Sequence, residues 1–397
     1  MQITCQILVR FRLGSPDQFN TEIRTMKYIK EIESFGEFLE NGYHFDHCCF
    51  QKIDFSKASI RWESLKFNEC VFLGCKLPPQ AINLINDSGN LIFPDVNGLP
   101  YQVYRAHLYK WQDLYAPANP DTGYHTIDEE IYYHFKEHRY NGSIHEHLYQ
   151  RIHDHSIDDA MRDLLEPDDN GGYKKKCIGI MGGHSTKRDN IYYKKIARIA
   201  FHLTQSGYFI ASGGGPGIME AANLGAYMAT YSEEDLEKAL NILHGSLHYS
   251  EQKYFDDAHD VLLKYDKGAD NLAIPTWFYG HEPSNLFATH IAKYFSNSIR
   301  EDILLAISIH GIVFAPGSAG THQEIFMDAA QNHYGTFSYF SPMVFLGMEH
   351  YMKKTGIYPL LQRLSRDKEY GRLLYVHDSV DQIVSFFRAN PPTEKQD

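Results

Sequence analysis

Two glycine-rich turns constrain the fold of this 397-residue chain more than any other feature, because each joins an apolar strand-like run to a helix-like run. They are residues 212–220 (SGGGPGIME) and 316–324 (PGSAGTHQE). A glycine turn that opens a helix exposes backbone N–H groups at the positive end of the helix dipole, so it suits a phosphate. Each turn also carries a carboxylate into its helix, Glu220 or Glu324. Together they predict a nucleotide-type site.

Around these turns, strand-like and helix-like segments alternate from residue 174 to residue 390. The strand-like segments are 177–183, 208–215, 311–318, 342–348 and 372–377, and the main helical ones are 190–205, 296–307, 321–332 and 351–366. This alternation predicts an α/β fold with a doubly wound, mainly parallel, Rossmann-like sheet and a ligand site at the carboxyl ends of the strands. Residues 231–270 are charged and helical, which predicts an insertion or lid. No dinucleotide fingerprint is present, and we expect no cofactor.

The N-terminal part shows a different period. Large apolar residues recur every five positions at Phe45, Phe50, Phe55, Ile60 and Leu65, and in a shifted register at Phe67, Phe72 and Leu77. The run 43–77 resembles the pentapeptide-repeat family, whose units form a β-solenoid; an irregular β-rich segment with chance spacing is the alternative. We therefore expect a β-rich N-terminal module over 1–80, a partly helical connector over 81–173, the α/β domain over 174–390 and a disordered tail over 391–397.

Composition narrows the classes of partner. The formal net charge of −12 disfavours a nucleic-acid backbone or an anionic membrane as the main partner, so neither is expected. Six cysteines without a CxxC pair indicate reduced thiols, and the N-terminus shows no signal sequence, so we expect a cytoplasmic protein. The histidines between residues 134 and 155 include one i,i+4 pair but no metal-binding arrangement, and we expect no metal.

Several residues of the predicted sheet edge are candidates for binding. Gly183, His184 and Ser185 follow the first strand and either hold part of a ligand or form an ordinary tight turn. In the first glycine turn, Gly213, Gly214, Gly215 and Gly217 allow a close backbone approach. Glu220 either faces the ligand or complements the helix dipole. Residues 281–285 (HEPSN) either contact a base or ribose or form a simple loop.

The second glycine turn carries its own set of candidates. Gly317, Gly320 and Thr321 form an anion cradle, with Thr321 as the expected N-cap. Glu324 then stands at a capping-box position, so a helix-capping role is an alternative to a chemical one. Arg300 lies on the preceding helix beside Glu301 and Asp302, where a solvated ion pair is the simpler interpretation.

The motifs at 182–185 (GGHS), 212–223 (SGGGPGIMEAAN) and 316–324, with an arginine on the helix before the last one, resemble the LOG family. Within it they are closest to bacterial nucleotide 5′-monophosphate nucleosidases, and the resemblance covers about residues 176–390. It implies hydrolysis of the N-glycosidic bond of nucleoside 5′-monophosphates, with Glu324 and Arg300 as catalytic residues, the glycine turns on the phosphate, and a homodimer. Ser318 stands where the family pattern has its second glycine, and a Cβ there is costly if the turn needs glycine-only dihedral angles. A nucleotide- or nucleotide-sugar-binding sensor without turnover is the alternative function.

Overall fold

A computed structural model describes residues 27–31, 44–57, 59–119, 123–168, 172–251, 253–280 and 283–395. The chain divides into two compact units. The N-terminal unit comprises Met1–His107 and Gly142–Lys174, and the α/β unit comprises Leu108–Asn141 and Lys175–Asp397. The predicted connector 81–173 therefore contributes residues to both units, while the predicted domain limits themselves stay a prediction.

The elements of the described residues are as follows. The strands are β1 (Lys27–Ile29), β2 (His44–Asp46), β3 (Cys48–Gln51), β4 (Lys66–Asn68), β5 (Val71–Leu73), β6 (Leu91–Phe93), β7 (Cys177–Met181), β8 (Phe209–Ser212), β9 (Leu272–Ala273), β10 (His290–Ile291), β11 (Ile312–Phe314), β12 (Tyr339–Phe340), β13 (Met343–Leu346), β14 (Leu374–His377) and β15 (Thr393–Glu394). The helices are α1 (Pro79–Asp87), α2 (Trp111–Tyr115), α3 (Ile127–His138), α4 (Ile144–Leu165), α5 (Ile191–Gln205), α6 (Ile218–Tyr227), α7 (Glu233–Leu243), α8 (Tyr254–Lys264), α9 (Asn297–Ile307), α10 (Ala319–Tyr334), α11 (Ile357–Leu364) and α12 (Val380–Ala389). Short 3-10 turns occupy Phe55–Lys57, Trp62–Ser64, Met228–Thr230 and Glu369–Leu373, and a π-helical segment occupies His350–Lys354.

In the N-terminal unit, short parallel strands stack in two sheets, β1-β3-β5-β6 and β2-β4. Paired residues of successive coils are about 20 residues apart in sequence, as in Lys27 with Cys48, His44 with Lys66 and Val71 with Leu91. Phenylalanines one coil apart stack in the buried core, Phe45 on Phe67 and Phe50 on Phe72. The five-residue period therefore marks inward-facing positions, whereas membership of the pentapeptide-repeat family stays a prediction.

The α/β unit contains a parallel sheet with the order β10-β9-β8-β7-β11-β13-β14. Every residue of β7, β8 and β13 is buried, as expected for apolar strands covered on both faces by helices. The chain starts at β7, builds outward through β8, β9 and β10, and returns to add β11 on the other side of β7. The order thus reverses between β7 and β11, and such a switch point leaves a crevice at the carboxyl ends of the strands. The predicted α/β fold with a doubly wound parallel sheet is confirmed.

Two expectations at the C-terminal end need correction. The segment 351–366 is not one helix, because Gly356 adopts a left-handed conformation (φ +66°) between the π-helical segment and α11. The tail expected to be disordered includes β15, which pairs antiparallel with β12. Among the described residues, no helix combines the length and apolar character needed to cross a lipid bilayer.

Candidate functional site

Three of the loops singled out in the sequence meet at the switch point of the sheet. The Gly183 amide, after β7, donates to the carbonyl of Pro316, after β11, at 3.2 Å. The Gly183 carbonyl accepts from the amide of Ile218, the first residue of α6, also at 3.2 Å. The three loops follow β7, β8 and β11, and β7 is hydrogen-bonded to both of the other strands. The parallel sheet therefore brings the carboxyl ends of these strands together. His184 is half-buried and Ser185 is exposed in the same loop.

The first glycine turn is buried and tightly packed. Gly214 and Gly217 have positive φ angles of +79° and +69°. A Cβ on Gly217 would lie 2.5 Å from the Gly183 carbonyl oxygen, so only glycine fits there. All residues of the turn from Gly213 to Gly217 are buried. This burial argues against a direct phosphate contact by the turn, and its role in binding stays a prediction.

Asparagine side chains hold the first turn closed. The Asn285 backbone amide and its Nδ2 both donate to the Gly214 carbonyl, at 2.9 and 3.1 Å. Asn285 Nδ2 also donates to Asn223 Oδ1 at 2.9 Å, and Asn223 Nδ2 donates to Asn271 Oδ1 at 2.8 Å. Of the segment 281–285, Asn285 is thus a support for the turn, while His281 and Glu282 lie outside the described residues.

The second glycine turn is open to solvent and begins α10 earlier than the sequence predicts. Ser318 is the N-cap residue, and the first amide bonded within the helix is that of His322, which donates to the Ser318 carbonyl at 3.1 Å. The amides of Ala319, Gly320 and Thr321 precede that bond and are the orphan donors of the helix N-terminus. Ser318, Ala319 and Gly320 are all exposed, so an anion can reach this end of the helix.

This helix start corrects two expectations. Thr321 is the third helical residue rather than the N-cap, so Glu324 lies too far along the helix to complete a capping box. Ser318 has φ −108° and ψ −153°, an extended conformation that any residue adopts. The serine therefore introduces no backbone strain. Gly317 is the residue that must lack a side chain, because a Cβ there would collide with the Thr321 hydroxyl.

Glu324 and Arg300 form an ion pair beside both turns. Arg300 Nη1 lies 3.4 Å from Glu324 Oε1, and Arg300 Nε donates to the Ile274 carbonyl at 2.9 Å. Both side chains are largely buried, with 11% and 13% exposed. Arg300 Nη2 also approaches Gly213, where a Cβ would lie 2.7 Å away. The interpretation of Arg300 as part of a solvated ion pair is therefore wrong.

The buried position of Glu324 sets its protonation behaviour. Burial raises the pKa of the Glu324 carboxyl, the Arg300 guanidinium opposes that rise, and the nearby Glu301 carboxylate adds to it. A carboxylate held in this way responds strongly to any further charge that enters the crevice.

Glu220, in contrast, is engaged inside the protein. Arg188 donates to both of its carboxylate oxygens, at 2.9 and 2.7 Å, and the hydroxyls of Tyr193 and Tyr254 donate to Oε2 at 2.7 Å. Arg188 and Glu220 are each 1% exposed. Glu220 is therefore a structural anchor of α6 and does not face a ligand. Arg188 and Tyr254 are distant in sequence, and no local pattern identifies them as its partners.

Sequence reasoning missed two histidines next to the second turn. His322 follows Thr321 in α10, and His350 follows β13, whose neighbour in the sheet is β11. Their rings lie 6.2 Å apart, and the buried Nε2 atom of each has no hydrogen-bond partner among the described residues. Burial lowers the pKa of His350, and His322 and Lys354 lower it further. His322 could have been identified from its position within the second glycine motif, residues 316–324.

The described residues contain no group of three or more histidine, cysteine, aspartate or glutamate side chains placed to hold a metal ion. The i,i+4 pair His134 and His138 stacks ring on ring, and His138 Nδ1 bonds with the His134 carbonyl at 2.8 Å. The five cysteines that the structure describes are unpaired and buried.

Comparisons with known proteins give similarity of fold only. No protein-family description matches the chain, and no curated protein matches it. Among solved structures, the Moco carrier protein from Chlamydomonas reinhardtii is 15% identical, covering 54% of this chain and 97% of that one, with a TM-score of 0.35. The molybdenum cofactor binding protein from Rippkaea orientalis is 13% identical with the same coverage and TM-score. A structural genomics target is 16% identical, covers 54% of this chain and 99% of its own, and has a TM-score of 0.31. At these values the likeness transfers neither a ligand nor an activity to this chain.

Proposed function

We propose that the α/β unit hydrolyses the N-glycosidic bond of nucleoside 5′-monophosphates, giving a free base and ribose 5-phosphate. The observation that carries this proposal is the Arg300–Glu324 pair, a mostly buried carboxylate held beside an exposed helix N-terminus. The resemblance of the glycine motifs to the LOG family supports the same reaction, and it also suggests a homodimer.

In this proposal, the 5′-phosphate binds at the second turn. The amides of Ala319 and Gly320 and the helix dipole supply the attraction for the dianion. The Gly317 backbone lets the phosphate approach closely, since no side chain stands there. In this proposal the first glycine turn supports the walls of the site but does not contact the phosphate directly, because the turn is buried.

Glu324 acts on the ribose. As the bond between C1′ and the base nitrogen breaks, positive charge develops on the sugar, and an ionised carboxylate stabilises that charge. Water adds to C1′, and the leaving base takes up a proton. Arg300 opposes the rise in the pKa of the Glu324 carboxyl that burial causes, and the ion pair fixes the direction of that carboxylate.

The experiment incubates the protein with AMP, GMP, CMP, UMP and IMP and measures released base by chromatography. We expect at least one substrate, and Glu324→Gln is expected to reduce the rate by about 100-fold or more. Glu349→Gln is the matched control, since Glu349 is exposed and pairs with Lys354 at the surface. Release of base at the same rate by the Glu324→Gln variant would refute the assigned role.

A sensor that binds nucleotides without turnover is the second candidate. The direction of the Glu324 pKa shift favours this candidate, because burial disfavours the ionised form of the carboxylate that would stabilise a developing positive charge. Thermal-shift measurements with the same five nucleotides separate the two functions, since any ligand that binds only the native state raises its melting temperature. Stabilisation without base release identifies the sensor, and neither effect with any nucleotide removes both proposals.

A further inference from the structure

A second ligand site is suggested by a cavity of about 610 Å³ in the α/β unit, whose lining residues belong to neither glycine turn and include neither Arg300 nor Glu324. Its walls come from α2, α3, α8 and the loops next to them. The lining residues are Trp111, Tyr115, Thr126, Glu129, Tyr249, Phe255, Asp256, His259, Pro283 and Leu286. The volume is within the range of roughly 300–1,000 Å³ that small-molecule sites occupy.

Aromatic side chains dominate the walls of this cavity. Trp111, Tyr115, Tyr249 and Phe255 are all half-buried, so each retains accessible ring surface. The rings of Tyr115 and Phe255 lie 5.4 Å apart. The Tyr115 hydroxyl donates to the Ser284 carbonyl at 2.7 Å, which fixes this wall in place without a ligand.

The charges at the cavity are negative. Glu129 and Asp256 line it, and the described residues of its walls include no lysine or arginine. Glu129 Oε2 accepts from the His125 amide at 2.9 Å, so this carboxylate has a fixed direction. Asp256 is exposed and has no ion-pair or hydrogen-bond partner among the described residues. Two carboxylates repel a phosphate, which excludes a nucleotide as the natural occupant.

Aromatic faces combined with carboxylates attract cations, because the ring quadrupole and the negative charges act in the same direction. From this combination we infer that the cavity binds a small organic cation, an amine or a quaternary ammonium compound. The alkyl part of the ligand packs on the aromatic walls, and its charge lies toward Glu129 and Asp256. This inference does not depend on the proposed nucleotide chemistry.

The test is calorimetric titration of the full chain at low salt with choline and spermidine, and with 3,3-dimethylbutan-1-ol as the uncharged isostere of choline. We expect binding of at least one cation and binding of the uncharged isostere that is about tenfold weaker or more. Absence of binding by both cations at millimolar concentration overturns the inference, as does equal binding of choline and its isostere.

Variants locate the ligand. Asp256→Asn is expected to weaken cation binding about fivefold to tenfold, and Phe255→Leu by a similar factor with the apolar volume largely kept. Asp260→Asn is the matched control, because Asp260 is exposed on the same helix α8 but does not line the cavity. Circular dichroism confirms that each variant is folded. Equal loss of affinity in Asp256→Asn and Asp260→Asn would show a diffuse charge effect and refute this site.

Discussion

The buried pair of Asp128 and Lys293 gives the sharpest test of the physical reasoning on this fold. Lys293 Nζ lies 2.8 Å from Asp128 Oδ1 and 2.9 Å from Oδ2, and Trp277 Nε1 donates to Oδ1 at 2.8 Å. Both charged side chains are only 1% exposed. Neither charge is screened by water, so removal of one leaves the other buried without compensation.

Asp128→Ala is expected to lower the free energy of unfolding by about 4–6 kcal/mol. Of this, about 3–5 kcal/mol comes from the uncompensated ammonium and about 1 kcal/mol from the lost acceptor of the indole N–H. The double variant Asp128→Asn with Lys293→Met removes both charges and keeps an acceptor for Trp277. We expect its free energy of unfolding to lie within about 2 kcal/mol of that of the natural protein, since a neutral pair of similar volume avoids the desolvation cost.

The assay is urea unfolding followed by tryptophan fluorescence in a Trp62→Phe background. The chain has three tryptophans, and the remaining two, Trp111 and Trp277, both belong to the α/β unit. Glu137→Ala, an exposed change on the same helix α3, is the control and is expected to alter stability by about 0.5 kcal/mol or less. A loss below about 1 kcal/mol in Asp128→Ala, or an equal loss in the double variant, would refute the reasoning.

Three further predictions concern other buried groups. Burial raises the pKa of Asp328 to about 8, so between pH ~4 and ~8 the folded state holds a proton that the unfolded state releases. The free energy of unfolding therefore falls as pH rises, by about 1.4 kcal/mol per pH unit in that range. Urea titrations of Asp328→Asn should lack this fall. Gly217→Ala should cost about 2–4 kcal/mol by the same assay, since the new methyl meets the Gly183 carbonyl. Gly207→Ala, also at positive φ but with open space around it, should cost only about 1–2 kcal/mol; equal losses would contradict the clash. Glu220→Gln should lower the free energy of unfolding by about 3 kcal/mol, because it leaves the Arg188 charge poorly compensated. Any nucleotide-induced thermal shift should stay unchanged. Loss of that shift would show that Glu220 belongs to the ligand site.

The sequence allowed prediction of features that depend on local pattern. The buried strands β7, β8 and β13 appear as continuous apolar runs because helices cover both faces of the sheet. The helix predicted over 190–205 agrees with α5 within one residue, since Asn190 caps it by accepting from the Tyr192 amide. The convergence of the glycine loops follows from strand order alone.

Features that depend on distant residues could not be predicted. The burial of the first glycine turn depends on Asn285, which is 71 residues from Gly214. The role of Glu220 depends on Arg188 and Tyr254, which are 32 and 34 residues away. The N-cap of α10 was misplaced because threonine is a common cap, while the chain enters that helix from the extended Ser318.

Because the α/β unit is discontinuous in sequence, its residues leave the ribosome in two separate stretches. Asp128 emerges from the ribosome 149 residues before Trp277 and 165 residues before Lys293. At about 5–20 residues per second, the carboxylate waits roughly 8–33 s for the lysine that neutralises it. During that interval Phe135 of α3 also lacks Phe295, whose ring centroid lies 5.3 Å from its own in the folded protein. A chaperone or the ribosome surface that shields this segment would therefore increase the yield of folded protein.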